Sequence, residues 1–130
     1  MRFGWSLFCG LLACQFSSNR APEELGYRVF VEAVQRGDLA AAWGSLSEKT
    51  RHLMEARAKA VADASKGAVK EEPALMLFQS GIRPAPAGDV KVLESDGGTA
   101  VIEVNARGVS HHIVMVRESG RWVVDLSDIF

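Results

Sequence analysis

Apolar residues along this chain change their spacing twice, and the changes divide it into three parts. From Phe3 to Ala13 they run almost unbroken. Between Ala21 and Gln79 they recur every three or four positions, the period of helices with one face turned inward. After Asp89, where β-branched residues dominate, they alternate in the manner of half-buried strands.

In the helical part, Ala21-Pro22-Glu23-Glu24 predicts a helix start, because Pro tolerates the first helical position and acids favour the positive end of the dipole. Tyr27, Phe30, Val31 and Val34 then form one apolar stripe, and Gly37 ends the helix. Asp38 caps a second helix in which Leu39, Ala42, Trp43 and Leu46 keep the same spacing. Ser47 caps a third, running through Thr50, Leu53, Met54 and Val61 towards Lys66, with an alanine-rich middle and Gly67 as its stop. Here Ser47, Thr50 and Arg51 read as a cap and a surface ion partner. A short helix from Pro73 to Gln79 follows, and Gly81 to Gly88, with Pro84 and Pro86, reads as a loop.

In the alternating part, Val90 to Glu94 pairs with Ala100 to Val104 across Asp96-Gly97-Gly98, whose glycines supply the positive φ angles of a hairpin turn. Ala106-Arg107-Gly108 makes the next turn. Val109 to Arg117 and Arg121 to Leu126 form a last hairpin around Ser119-Gly120. Helices first and an antiparallel meander of about four strands afterwards predict an α+β domain with N-terminal helices packed on one face of the sheet.

Composition adds three bounds. A chain of 130 residues, 48% of them hydrophobic, makes one domain with a real core. Its 15 cations and 16 acids are interleaved, for a formal net charge of −1, and loss of Arg2 with a leader would make it −2. No clustered basic face marks a nucleic-acid binder. Both cysteines, Cys9 and Cys14, lie in the first apolar part, so the body has no intramolecular disulfide and depends on packing.

The first part holds a cation at Arg2, an apolar run from Phe3 to Ala13 and then Leu11-Leu12-Ala13-Cys14. That run suits the middle of a cleaved export peptide and falls short of the roughly 20 apolar residues needed to span a bilayer. Phe8, before Cys9, is too bulky for a cleavage site. The segment resembles a bacterial lipoprotein signal, with Leu12 where such boxes more often hold a small residue. The resemblance implies that residues 1–13 are removed and that Cys14 opens the mature chain with lipid on its sulfur and amino group. Residues 14–21 would then be a polar tether, and residues 22–130 a body held at the membrane through its acyl chains. Gln15 after the cysteine implies the outer membrane, with the body facing the periplasm.

Three stretches of the body resemble the nuclear-transport-factor-2-like (cystatin-like) superfamily: Gly37-Asp38-Leu39-Ala40-Ala41-Ala42-Trp43, Leu46-Ser47-Glu48-Lys49-Thr50-Arg51, and Val116 to Leu126 with its Ser119-Gly120 turn. The resemblance implies a cone in which a curved sheet wraps the helices and leaves a pocket at the open end. Members include isomerases, cyclases, binding modules and dimerisation scaffolds, so the fold leaves the function open.

Few side chains point to chemistry. His111 and His112 are adjacent on a strand, where neighbours face opposite sides, so they do not share a metal ion. Register decides which of them turns to the helices. A two-residue Ser119-Gly120 loop puts Trp122 on the face of Arg117, Met115, Ile113 and His111, whereas a three-residue loop puts it with Val116, Val114 and His112. Asp125 stands comparison with the pocket acid of the superfamily's isomerases, but in the two-residue register it lies opposite Trp122, solvated or paired with an Arg. Glu103 alternates outward by the same logic. Trp43, Phe78 and Trp122 read first as core, and with His111 they are the residues that would line a ligand pocket. No complete catalytic set, metal site or cofactor loop stands in the sequence. The reading is an envelope lipoprotein that binds a small apolar molecule or a protein partner, the alternatives being an isomerase- or cyclase-type enzyme using a pocket acid or His, and a homodimerising scaffold.

Overall fold

A computed structural model describes residues 19–79 and 88–129. The cleavage region, Cys14 and most of the Gly81–Gly88 loop lie outside the described residues. Four helices precede four strands: α1 (Pro22–Arg36), α2 (Leu39–Gly44), α3 (Glu48–Ala64), α4 (Pro73–Gln79), β1 (Val90–Ser95), β2 (Thr99–Ala106), β3 (Val109–Glu118) and β4 (Arg121–Asp125). The strands form one antiparallel sheet in the order β1-β2-β3-β4. The domain is α+β with helices packed on a sheet, as the spacing predicts. No helix among the described residues is long and apolar enough to cross a membrane.

The helix ends obey local chemistry. Pro22 stands in the first turn of α1 with Glu23 and Glu24, and Gly37 leaves the helix at φ 71°. The N–H groups of Gly37 and Asp38 satisfy the carbonyls of Val34 and Ala33. The Asp38 carboxylate accepts from Ala41 N–H to start α2, and the Ser47 hydroxyl oxygen accepts from Thr50 N–H to start α3.

Tyr27, Phe30, Val31 and Val34 of α1 are all buried, with Ala33 beside them. They meet a sheet face built in rows: Val90 opposite Val104, Val92 opposite Ile102 opposite Ile113, and Ala100 opposite Met115 opposite Val124. Ile102, Met115 and Val124 are fully buried in this core, where Leu46 and Leu77 join them. α1 approaches β4 closely enough that a Cβ on Gly26 would lie 2.5 Å from the Trp122 carbonyl oxygen. Only glycine permits that contact.

Two helical expectations are corrected. Leu46 is not on α2: the helix stops at Gly44, and Leu46 instead bridges β4 at Val124 in parallel. Val124 N–H donates to Ser45 O and Ser47 N–H donates to Val124 O, each at 2.8 Å, so this short segment covers the outer edge of β4. In α3 the inward face is Thr50, Met54 and Ala58, while Leu53 and Val61 are exposed. Of the α3 alanines Ala58 is buried, Ala62 is half-buried and Ala56, Ala60 and Ala64 are exposed, so the inward face is narrow and Leu53 and Val61 fall outside it.

Candidate functional site

The β3–β4 register pairs Glu118 with Arg121 and Arg117 with Trp122, which settles the two-residue loop. Ser119 and Gly120 both take positive φ, 51° and 75°, the signature of a primed hairpin turn. Trp122 therefore shares the helix-facing side with Arg117, Met115, Ile113 and His111. Trp122, Trp43 and Phe78 are half-buried and pack against the core.

His111 lies opposite the buried Val104 and His112 opposite Glu103, on the two faces of β3. Both are exposed, His111 standing on the helix-facing side without cover. His112 Nε2 is 3.5 Å from Glu103 Oε2, a solvent-facing pair that contributes little when charged. Among the described residues no group of three His, Cys, Asp or Glu side chains could hold a metal ion.

Asp125 does lie opposite Trp122, but neither open solvent nor an Arg is its environment. It is half-buried, and its Oδ1 accepts from Ser127 N–H at 2.8 Å and from the Thr50 hydroxyl at 3.3 Å. Thr50 Oγ1, fully buried, also accepts from Leu126 N–H at 2.9 Å and sits 2.7 Å from Ser47 Oγ. This network joins the start of α3 to the end of β4. Arg51, expected as a surface ion partner, makes no ion pair among the described residues, and its buried Nε has no hydrogen-bond partner. The cluster escaped sequence reasoning because Thr50 and Asp125 stand 75 residues apart; the Ser47-x-x-Thr50 spacing was its one visible trace.

Two open grooves flank β4. One lies between the start of α3 and the end of β3, lined by Glu48, Lys49, His52, Leu53 and Glu118. There Glu118 accepts from Glu48 N–H at 3.1 Å through both oxygens, a second carboxylate-to-helix contact that seats α3. The other, of about 290 Å³, is mainly apolar and runs between α1 and the β3–β4 turn. Of the four residues expected to line a pocket, Trp122 alone borders either groove.

The sheet face away from the rows that meet α1 has an apolar middle. Val101 pairs with Val114, Thr99 with Val116, and Val116 with Val123. Val101, Val114 and Val116 are half-buried and Val123 is buried, and Lys91, Glu94, Glu103 and His112 stand around them. No protein-family model, curated protein or solved structure matches the chain.

Proposed function

We propose that this chain is a lipid-anchored protein of the bacterial envelope whose body is a non-catalytic interaction module with the nuclear-transport-factor-2-like architecture. The observation that carries the reading is the valine-centred outer sheet face with its rim of mixed charge. An apolar centre inside a polar rim is the composition of protein–protein interfaces. The pocket acid that an isomerase would need is otherwise engaged: Asp125 holds Thr50 and Ser127. His111 stands exposed and lines neither groove.

The anchor is tested by mass spectrometry of the membrane fraction, where Cys14 should carry diacylglycerol and Cys14→Ser should abolish it. A soluble, unmodified chain beginning at Met1 would refute the anchor. The module is tested by light scattering on the chain extracted in mild detergent. A mass above one chain is expected, returning to one chain when Val101 and Val114 are both replaced by Asp. A wild-type monomer at every concentration would refute it. The identity of the second component, another copy or a different protein, is read from the same sample by mass spectrometry.

A further inference from the structure

α1 carries a second apolar stripe that the core does not use. Pro22, Leu25 and Val29 fall at i, i+3 and i+7 on one side of the helix, away from Tyr27, Phe30, Val31 and Val34. Leu25 is 40% and Val29 55% exposed. Across the groove of about 290 Å³ they face Gly120, Arg121 and the half-buried Trp122. The groove exists because Gly26 lets α1 lie directly on the Trp122 backbone, leaving the side chains on either side to form walls.

Arg121 lines the groove, and two further guanidinium groups, those of Arg20 and Arg117, belong to the segments on either side of it. Arg121 is exposed while donating to Gly44 O, Arg117 is exposed beside Trp122 across the strand pair, and the Arg20 side chain is 57% exposed. Glu24 lies between Arg28 at 2.8 Å and Arg20 at 3.9 Å, Glu118 accepts from Glu48 N–H, and Glu32, one turn beyond Val29, is exposed on this side. An aliphatic and indole surface flanked by guanidinium groups has the make-up of a face that sits at the interface of an anionic bilayer.

The position of the stripe names its occupant. Pro22 is eight residues from Cys14, a span of about 28 Å at full extension. A body tethered there keeps the start of α1 near the lipid whatever its orientation. We infer that the Leu25–Val29–Trp122 face rests on the anionic phospholipid surface to which the chain is tethered, fixing the body's orientation and turning the outer sheet face towards the aqueous side. The inference rests on the lipid-anchor reading for its occupant, though the face itself can be tested with or without lipid on Cys14.

Val29 and Val109 are nearly equally exposed, at 55% and 54%, and Val109 sits at the β2–β3 turn rather than by this groove. An environment-sensitive fluorophore is placed on Val29→Cys or on Val109→Cys, in the lipidated chain reconstituted into phosphatidylglycerol vesicles containing brominated lipid. Quenching is expected at position 29 and not at position 109. Arg20→Glu with Arg121→Glu should weaken quenching at 29 without releasing the anchored chain from the vesicles. Equal quenching at both positions, or none at 29, would overturn the inference.

If mass spectrometry finds no lipid on Cys14, the anchor reading fails separately. The same labelled full chain is then sedimented with phosphatidylglycerol or phosphatidylcholine vesicles. Binding to the first, weakened on the order of ten-fold or more by the two charge reversals, supports the face. Equal recovery in the supernatant with both vesicles overturns it.

Discussion

Tyr27 is the single tyrosine of the chain and is 5% exposed, so its phenol reports on the core without interference. Burial pushes its pKa up, and the neighbouring Arg28 guanidinium opposes part of that rise. The folded state thus favours the protonated ring. Stability from this group is complete below the ordinary value of 10.0 and drains away as pH rises through the higher folded value. Absorbance titration should find a midpoint above 10.0, accompanied by loss of the folded near-ultraviolet spectrum; a midpoint at the ordinary value in a folded chain would show that the ring is solvated. Thr50 tests the polar side of the core. Thr50→Val keeps the shape but leaves Leu126 N–H without its acceptor, a loss of about 1–3 kcal/mol in urea unfolding for a buried donor. An unchanged midpoint would mean that water reaches the end of β4.

At the scale of elements, the distance between α1 and the sheet is set by one residue. A methyl at Gly26 would meet the Trp122 carbonyl oxygen at 2.5 Å and its Cβ at 2.9 Å, and backbone cannot swing aside as a side chain can. Gly26→Ala should therefore destabilise the domain by about 1–3 kcal/mol despite the better helix propensity of alanine. Stabilisation by Gly26→Ala in a thermal melt would show that α1 stands off the strand. Much of the element order was legible, because Gly37, Asp38 and Ser47 carry their capping chemistry in their own side chains and backbone freedom. The fate of Leu46 and Leu53 was not. Helical spacing counts apolar residues without weighing what lies opposite, and β4, nearly eighty residues downstream, draws Leu46 out of the helix into a bridge. The Trp122 register was open for a related reason: it required Ser119, a residue with a Cβ, to adopt φ 51°, a conformation that composition alone does not announce. Asp125 then fell on the predicted side of the sheet, but its partner could only be found in three dimensions.

For the molecule as a whole, the helical first half and the stranded second half are connected by more than the packing of α1. The Ser45–Ser47 segment bonds to Val124 on both sides, Thr50 bonds to the end of the same strand, and Leu46 between them is fully buried in the common core. Neither half can open without exposing that residue. Helix signal in the far ultraviolet and the emission of Trp122 on β4, isolated by Trp5→Phe and Trp43→Phe, should consequently change in one urea transition. Leu46→Ala should lower its free energy by about 2–5 kcal/mol with the slope unchanged, since the cavity weakens a junction shared by both halves and adds no separate unit. Two separated transitions in the wild-type chain would mean that the sheet folds by itself. The bridge at Val124 would then be an edge decoration, and a charge placed on the outer sheet face could no longer be assumed to leave the α1 face intact.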